Sequence, residues 1–502
     1  MNPVSNPVVA LPDTSGTSGT DLPVIRHDLS DVVKAYDVRG LVGEQLDAAV
    51  TRALGVAFAE EVAGDETAAG RTRQVVIGHD MRPSSPELAQ AFAEGAAATG
   101  LDVVLIGLCS TDGLYYASGA LDAPGAMFTA SHNPAAYNGI KLCRAAARPI
   151  GQDTGLLRIR QRAEQLLSGA SAPEAAVPGT IRTEDRLAGY AGYLRSLVDL
   201  SGSRPLRVVV DAGNGMGGLT TPAVLGTAVG LAALPLDVVP LYFELDGTFP
   251  NHEANPLEPA NLRDLQAAVV REGADLGLAF DGDADRCFVI DERGEPVSPS
   301  AVTALVARRE IAKELAAGRP ATVIHNLITS RAVPEVIAEA GGTALRTRVG
   351  HSFIKAEMAA HTAVFGGEHS AHYYFRDFWF ADTGMLAAMH VLAALGEGPD
   401  DGSVPLSQLA AEYERYVASG EINSRVDDVA AATARVEAAY ADRPGVRLDR
   451  LDGLSVIHDE QGWWFNLRPS NTEPLLRLNA EAASATEMAA LRDDVLSLVR
   501  NG

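Results

Sequence analysis

The segment TASHNP, residues 129–134, places a serine, a histidine and an asparagine side by side. The apolar residues 126–128 just before it predict a buried strand, so we expect the polar cluster in a tight turn at the end of that strand. The ends of strands are where α/β proteins often carry their chemistry. Ser131 could act there as a nucleophile, a helix cap or an ordinary turn residue.

A second segment, LAFDGDADRCFVID, sets three alternating carboxylates between two apolar runs. Asp281, Asp283 and Asp285 can converge in an extended turn, and three close anions repel one another unless a cation joins them. Oxygen ligands without a nearby cysteine or histidine favour Mg²⁺ or Mn²⁺ over zinc. A solvated acidic turn is the alternative, which the apolar flanks disfavour. A calcium-binding EF-hand is excluded because Arg286 occupies the position that requires glycine.

The acidic segment also supports a second chemical interpretation. An apolar strand followed by Asp-x-Asp is how haloacid-dehalogenase-type phosphotransferases present an aspartate nucleophile, which would here be Asp281. Ala284 fits that pattern poorly, and a strand directly after the loop leaves no room for the cap insertion of that class. This mechanism is kept as the alternative.

Further basic and polar residues stand in four short segments. YDVRG and NGIK contribute basic residues, GGEHSAH offers polar groups to a polyhydroxyl ligand, and RPSNTEP sets an arginine beside hydroxyls and turn amides, which suits a phosphate dianion. Taken singly, each has an ordinary explanation, such as a surface ion pair, a buried histidine or a plain turn. Their combination favours a binding site. The candidates are Tyr36, Arg39, Lys141, Glu368, Ser370, His372, Arg468, Ser470, Asn471 and Thr472.

The bulk composition limits the classes of partner. The chain has 502 residues with 41 basic and 65 acidic side chains, and its formal net charge of −24 opposes nucleic acid or an anionic membrane as a partner. An anionic substrate would need basic residues gathered locally. Three cysteines without a CxxC pair, no signal-like start and no long apolar span predict a cytoplasmic protein without a transmembrane segment.

Stretches of βαβ length recur along the chain and predict several domains. Units that begin near Arg73, Leu206 and Ala321 repeat the order of apolar run, polar turn, helical stretch and apolar run, and the pattern changes after about residue 410. Ser84 and Glu87 predict a capping box at the first helix of the first repeat. The predicted limits are a mobile tail at 1–27, α/β domains at 28–185, 186–297 and 298–408, and an α+β domain at 409–502.

The segments TASHNP, DGDADR, GGEHSAH and RPSNTEP, in this order, resemble the active-site loops of the α-D-phosphohexomutases, most closely those of the phosphomannomutase/phosphoglucomutase group. The resemblance covers nearly everything after the tail. It implies a heart-shaped α/β protein in which three related α/β domains and a C-terminal α+β domain like the TATA-binding protein each send one loop into a central cleft. A monomer or weak dimer that acts on a hexose phosphate is expected.

The resemblance also implies a mechanism. Ser131 would donate a phosphoryl group to a hexose phosphate and take back the other phosphate of the bound hexose 1,6-bisphosphate, so that phosphate moves between C1 and C6. Mg²⁺ would be held by the three aspartates and phospho-Ser131, and hexose 1,6-bisphosphate would act as activator. Glu368 and Ser370 would bind the sugar, with Tyr36 nearby, and Arg468–Thr472 the distal phosphate. The residues expected near the reacting phosphate or its proton transfers are Arg39, His132, Lys141, Arg286, His351 and His372.

Two positions depart from the family pattern. Ala371 stands where most relatives have glycine, and Ile328 stands where bacterial relatives have a lysine, which Arg331 or Lys355 could replace. A phosphoglucosamine mutase and a non-catalytic sugar-phosphate sensor on the same scaffold are the alternatives within this resemblance. The intact Ser131 and metal loop oppose the sensor.

Overall fold

The computed structural model describes residues 28–68, 73–172, 175–397, 404–469 and 475–500, and its strands form four sheets. The predicted tail at 1–27 lies outside the described residues, and the predicted domain limits stay predictions. Among the described residues, no helix combines the length and apolar character that a membrane span requires.

The first unit is an α/β structure around a mixed sheet. Its strands are β1 (Val38–Leu41), β2 (Gln74–His79), β3 (Asp102–Leu108), β4 (Gly125–Phe128), β5 (Tyr137–Arg144), β6 (Arg148–Pro149) and β7 (Ile181–Thr183). Its helices are α1 (Ala48–Ala68), α2 (Ser85–Ala98), α3 (Thr111–Leu121) and α4 (Leu156–Leu167), followed by the connecting helix α5 (Leu187–Leu197). The strand order is β1-β5-β4-β2-β3-β7, with β6 beside β5.

The second unit is a smaller version of the first. Its strands are β8 (Leu206–Asp211), β9 (Leu236–Leu241), β10 (Leu276–Phe280), β11 (Cys287–Asp291) and β12 (Pro296–Val297), and its helices are α6 (Gly217–Val224) and α7 (Arg263–Glu272). The strand order is β12-β11-β10-β8-β9. All residues of β10 and β11 are buried, so the loop between them has fixed ends.

The third unit repeats this design. Its helices are α8 (Pro299–Ala316), α9 (Ala332–Glu339), α10 (His351–His361) and α11 (Gly384–Gly396). Its strands are β13 (Thr322–Asn326), β14 (Thr343–Thr347), β15 (Phe365–Gly367), β16 (Tyr373–Phe375) and β17 (Ala381–Asp382), in the order β14-β13-β15-β16-β17.

The fourth unit differs from the others because its sheet is antiparallel throughout. It follows α12 (Leu406–Ala411) and contains β18 (Val417–Arg425), β19 (Val446–Asp449), β20 (Leu454–His458), β21 (Trp463–Pro469) and β22 (Leu475–Ala482), with helices α13 (Val429–Tyr440) and α14 (Ala485–Arg500). The strand order is β18-β22-β21-β20-β19. The predicted class, three related α/β units and a distinct α+β unit, is confirmed.

Three loops hold equivalent places in the first three sheets. β4, β10 and β15 are each parallel to one neighbouring strand and antiparallel to the strand that follows in the chain. The loops after them carry TASHNP, DGDADR and EHSAH. Each loop contains one non-glycine residue with a positive φ: Ser131 (49°), Ala284 (59°) and Ala371 (65°). A left-handed conformation costs an L-residue roughly 1 kcal/mol, so the three turns share one strained geometry.

The predicted capping box at Ser84 and Glu87 is wrong, although α2 does begin at Ser85. Ser84 is the N-cap residue, but its hydroxyl makes no capping hydrogen bond. It instead accepts a hydrogen bond of 2.8 Å from the Asn138 side chain, which belongs to β5. A tertiary contact therefore replaces the local one.

Candidate active site

The first predicted segment forms a buried turn between β4 and β5. Ser131 is 4% exposed, and its backbone N–H donates to the Thr129 hydroxyl at 2.9 Å. Its own hydroxyl donates to Asp281 Oδ2 at 2.8 Å and lies 3.2 Å from His132 Nδ1. The serine of the first unit therefore meets the acidic loop of the second.

Arg82, which sequence reasoning missed, supports this turn from below. Its side chain is fully buried, lies 3.2 Å from Asp80 and stacks over the Phe249 ring of the second unit at 5.2 Å. A guanidinium has five donors in a planar fork, so it can satisfy several carbonyls at once. The signal in the sequence was an Asp-x-Arg pair directly after an apolar strand. The N–H groups of Arg82 donate, at 2.7–3.0 Å, to the carbonyls of Ser131, Asn133, Pro134 and Tyr137.

The acidic loop between β10 and β11 packs directly against the serine turn. A side chain at Gly282 would place its Cβ 2.4 Å from the Ser131 carbonyl oxygen, which is closer than carbon and oxygen can approach. Phe280 pairs with Cys287 across the ends of the loop. The glycine of DGDADR therefore allows the two loops to touch.

The three carboxylates of this loop converge as the sequence predicts. One oxygen from each of Asp281, Asp283 and Asp285 lies within 4.8 Å of the others, and all three residues are buried. Lys141 Nζ lies 2.7 Å from Asp283 and 2.5 Å from Asp285, while the Thr111 hydroxyl donates to Asp283 at 2.6 Å. Asp283 Oδ1 and Asp285 Oδ1 are buried and accept no hydrogen bond from the described residues. Such oxygens are costly unless a cation binds them, so the cluster could hold a metal ion with oxygen ligands.

The surroundings shift the pKa values of Asp281 and Asp285 in opposite directions. Burial raises the pKa of Asp281 to about 7, and Arg286 only partly opposes this effect. Although burial acts in the same direction on Asp285, the Lys141 ammonium lowers the pKa of Asp285 to about 2. Burial would lower the pKa of Lys141, but Asp283 and Asp285 raise it well above its usual value. Lys141 is therefore a protonated donor in this arrangement.

Arg286 and His132 form a pair beside the serine. Arg286 Nη2 lies 2.8 Å from Asp281 Oδ2 and 2.7 Å from His132 Nδ1. Burial, followed by the charges of Arg286 and Arg39, lowers the pKa of His132 to about 2. The imidazole is neutral at physiological pH, and its Nδ1 accepts from the guanidinium.

Residues from all three α/β units line one cavity of about 120 Å³. Arg39, on β1, pairs with Asp37 at 2.7 Å and donates to the Asn133 side chain. The Tyr36 ring meets Phe353 of the third unit edge-on, with ring centroids 6.4 Å apart. The predicted site residues that line this cavity are Tyr36, Arg39, Ser131, His132, Lys141, Asp285, Arg286 and His372.

The loop between β15 and β16 presents the predicted sugar-binding residues. Ser370 Oγ donates to Glu368 at 3.3 Å and lies 3.1 Å from His372 Nδ1. His372 Nε2 is 3.7 Å from Asp285 Oδ1, so this loop reaches the acidic loop. Glu368 is 3% exposed and accepts hydrogen bonds of 3.1–3.3 Å from Asn326, Gly350 and Tyr374.

The structure shows the surroundings of Ala371 and Ile328, the two residues that depart from the family pattern. Ala371 is fully buried with a positive φ, a conformation in which glycine would be relaxed. Ile328 is half-buried and lines a cavity of about 370 Å³ between the third and fourth units.

The two cations expected to replace a lysine at position 328 already have partners. Arg331 pairs with Glu335 at 3.1 Å and stacks on the Tyr416 ring. Lys355 is buried, lies 2.7 Å from Asp382 and stands 4.3 Å from the centre of the Tyr115 ring. Asp382, with Asp285 and His372, also forms a second group of possible metal ligands.

The fourth unit contributes Arg468 from the end of β21. Arg468 Nη2 lies 3.5 Å from Glu421, and its Nη1 lies 3.8 Å from Asp452. Asp452 accepts a hydrogen bond of 3.1 Å from the Val349 N–H, which ties the fourth unit to the third. The predicted residues Ser470, Asn471 and Thr472 lie outside the described residues. His351 begins α10, and its side chain is not described either.

A buried acid that sequence reasoning missed, Asp112, joins the first unit to α5 and the third unit. It accepts hydrogen bonds of 2.7 Å from Tyr190 and Thr383 and a further one from Ser110. Burial raises the pKa of Asp112 to about 6. The neighbouring Thr111 donates to Asp283, so this junction also contacts the acidic loop. No spacing in the sequence pointed to Asp112.

Three related α/β units and an antiparallel fourth, arranged around a serine that faces an acidic loop, define a phosphoryl-transferring isomerase, that is, a phosphohexomutase. The four domain models of the phosphoglucomutase/phosphomannomutase family match in order. Alpha/beta/alpha domains I, II and III match residues 30–168, 188–294 and 298–416, and the C-terminal domain matches residues 421–498. The chain belongs to this family, not to the haloacid-dehalogenase class of the alternative.

Individual relatives agree with this assignment over almost their whole length. The chain is 41% identical over 471 residues to "Phosphohexose mutases" of Xanthomonas campestris pv. campestris. The matched region covers 93% of this chain and 99% of the relative. It is 38% identical to a phosphomannomutase of Salmonella montevideo over 93% of this chain and 98% of the relative. A crystal structure of a phosphoglucomutase/phosphomannomutase family protein from Burkholderia thailandensis superimposes with a TM-score of 0.80 at 29% identity, covering 94% of this chain and 98% of that one.

Proposed function

We propose that this enzyme interconverts the 1- and 6-phosphates of mannose and of glucose through phosphorylated Ser131 and a bound hexose 1,6-bisphosphate. The observation that carries the proposal is the 2.8 Å hydrogen bond from the Ser131 hydroxyl to Asp281, beside two buried carboxylate oxygens to which no described residue donates. Phosphoryl transfer depends mainly on positioning and charge compensation. The site supports both, because cations from two units surround the serine.

The cation is proposed to be Mg²⁺, with Ser131, Asp281, Asp283 and Asp285 as its ligands. The donor set consists of oxygens only, which favours Mg²⁺ over zinc. When bound, this ion supplies charge neutralisation for the group in transfer. Its proposed ligands come from two units, so binding also holds the serine turn against the acidic loop.

The chain's own cations and proton donors complete the site. Arg39 and Arg286 flank the serine and would bind the oxygens of the phosphoryl group. Lys141 is protonated and would supply the proton to the serine oxygen as it leaves. His372 would accept the proton of the attacking sugar hydroxyl, a role in which His351 is the other candidate. His132, being neutral, would orient Arg286.

Sugar recognition is proposed for the third and fourth units. Glu368 and Ser370 would bind two sugar hydroxyls, with Tyr36 on the facing wall. Arg468, with Ser470, Asn471 and Thr472, would hold the distal phosphate. Because the sugar binds in two reversed orientations, one fixed phosphate socket serves both, and the C2 epimers mannose and glucose are weakly distinguished.

A substrate panel tests the proposal. The protein, with Mg²⁺ and catalytic hexose 1,6-bisphosphate, is assayed on mannose 1-phosphate, glucose 1-phosphate and glucosamine 1-phosphate. We expect kcat/KM for the first two to exceed that for the third. Equal or better turnover of glucosamine 1-phosphate would make the enzyme a phosphoglucosamine mutase instead.

The remaining proposals concern the state of the protein. The net charge of −24 supports small-molecule partners rather than nucleic acid or membrane, and three buried free cysteines support a reducing, cytoplasmic location. A monomer or weak dimer with four domains at the limits given above is proposed. Sedimentation at several concentrations tests the association state.

A further inference from the structure

Nearly every arginine in the described part of this acidic protein has a partner. Among the described residues, four arginine side chains have neither a hydrogen bond nor an ion pair, namely Arg73, Arg263, Arg348 and Arg425. In a chain with 65 acidic residues, an arginine without a carboxylate keeps its full charge for another anion. Arg348 stands apart from the other three because of the loop on which it lies.

Arg348 lies in the third unit, in the short loop between β14 and α10, and this loop contacts both the sugar-binding loop and the fourth unit. Two residues further on, the Gly350 N–H donates to Glu368 at 3.1 Å. The adjacent Val349 N–H donates to Asp452 at 3.1 Å, and Asp452 lies 3.8 Å from Arg468. The two residues that follow Arg348 are therefore tied to Glu368, the proposed sugar contact, and to Asp452, a neighbour of Arg468 in the proposed phosphate socket.

The Arg348 side chain is exposed but supported. Its guanidinium carbon lies 4.6 Å from the centre of the Phe353 ring, and Phe353 meets Tyr36 of the catalytic cavity edge-on. Stacking uses the face of the guanidinium and leaves the N–H groups along its edge free. A supported fork with free donors is the geometry that binds a phosphate through two parallel hydrogen bonds.

The partners of Arg468 give a reason for a second cation. Two carboxylates, from Glu421 and Asp452, lie within 3.8 Å of the Arg468 guanidinium. Part of its charge is already compensated, so Arg468 alone is a weak receptor for a phosphate dianion. Arg348, which has no acidic partner among the described residues, would supply the additional positive charge that the phosphate needs.

From these contacts we infer that Arg348 binds the phosphate of the hexose phosphate that is not in transfer, together with Arg468. The inference rests on the proposed function, since it names a further residue for that substrate. It identifies a phosphomonoester dianion as the ligand of Arg348.

Kinetics of Arg348→Gln and Arg348→Lys test the inference. We expect Arg348→Gln to raise KM for glucose 1-phosphate about 10- to 100-fold, with kcat changed less than about 3-fold, because ground-state binding of the phosphate is lost. The KM of Arg348→Lys should lie between those of the unmodified enzyme and Arg348→Gln, since an ammonium keeps the charge but lacks the planar fork of donors. Arg263→Gln, on α7, is the matched control and should leave both constants unchanged.

A binding measurement without turnover separates this role from a structural one. In a Ser131→Ala background, addition of Arg348→Gln should raise the Kd of glucose 6-phosphate, measured by calorimetry, about 10-fold or more. Thermal midpoints should agree within the error of the measurement, since the side chain is exposed.

The outcomes distinguish the inference from the proposed function. If the unmodified enzyme is an active mutase and Arg348→Gln has unchanged KM and Kd, the inference is overturned while the proposed function stands. If Arg348→Gln instead lowers kcat about 10- to 100-fold and leaves KM unchanged, the inference is also overturned. If the unmodified enzyme has no mutase activity under the conditions of the substrate panel, the proposed function itself fails.

Discussion

The Ser131 hydroxyl donates a hydrogen bond of 2.8 Å to Asp281, a residue 150 positions later in the chain. The two residues belong to different sheets, and each follows a strand in the same place of its sheet. Because the α/β units repeat one design, the serine turn and the acidic loop occupy equivalent places in neighbouring units, and both loops can be short. The contact is close because Gly282 has no side chain.

Replacement of Ser131 by alanine tests the phosphoryl carrier. We expect Ser131→Ala to lose at least about 10³-fold in kcat and to take up no label from a ³²P-labelled hexose bisphosphate, because no other nucleophile occupies its place. Label on the unmodified enzyme should withstand hydroxylamine. Hydroxylamine-labile label that persists in Ser131→Ala would instead identify an acyl phosphate, with Asp281 as the candidate.

Removal of one carboxylate tests the metal site. Asp285→Asn should raise the Mg²⁺ concentration needed for half-maximal activity about 10-fold or more, since a buried oxygen ligand loses its charge. A chelator should abolish the activity of the unmodified enzyme, and added Mg²⁺ should restore it. The exposed Asp199→Asn is the control. An unaltered Mg²⁺ titration in Asp285→Asn would remove Asp285 from the ligand set.

A methyl group at position 282 tests the contact between the two loops. Gly282→Ala places a carbon against the Ser131 carbonyl, so the loops must separate. We expect kcat to fall about 10-fold or more while circular dichroism stays native, because misplacement by about 1 Å is costly in catalysis. Gly192→Ala, in α5, has open space around it and should leave kcat unchanged. Full activity of Gly282→Ala would show that the contact is dispensable.

Arg82→Lys tests the support under the serine turn. A lysine keeps the charge near Asp80 but cannot reach four carbonyls, which leaves buried acceptors without donors. We expect the free energy of unfolding to fall by about 1–3 kcal/mol for each carbonyl left without a donor, and phosphorylation of Ser131 to be slower. The exposed Arg52→Lys, paired with Glu94 at 3.1 Å, should change stability by less than about 0.5 kcal/mol. Equal stability of the two variants would contradict the role of Arg82.

The pH dependence of stability tests the buried acid at the junction of the units. The pKa of Asp112 is raised from 3.8 to about 6 by burial, so the folded protein holds this proton more tightly than the unfolded chain. Its stabilising contribution is complete below about pH 4 and lost as the pH rises through 6, a change of up to about 3 kcal/mol. Asp112→Asn has no charge to bury. The difference in thermal midpoint, variant minus unmodified protein, should therefore increase as the pH is raised from about 4.5 to about 7. A constant difference would place the pKa of Asp112 elsewhere.

The sequence by itself determined the fold class, the three repeated units and the convergence of the three aspartates within their loop. These features depend on local patterns: apolar runs predict buried strands, and polar residues directly after them are carried to the edge of a sheet. The clustering of Asp281, Asp283 and Asp285 was predictable because alternation over five residues is a local geometry. The aspartates therefore lie where the sequence analysis expected them.

Only the tertiary structure decided which side chains pair across the units. Arg82 supports the serine turn, Asp112 connects three elements, and Lys141 lies against two aspartates more than 140 residues away. The same packing pairs Arg331 and Lys355 with carboxylates, whereas Arg348 has no carboxylate partner among the described residues. Such pairings arise from the relative positions of whole sheets, which no spacing along the chain encodes. The free energy of burial then sets the charge state of each group, since a carboxylate or imidazole titrates according to what surrounds it.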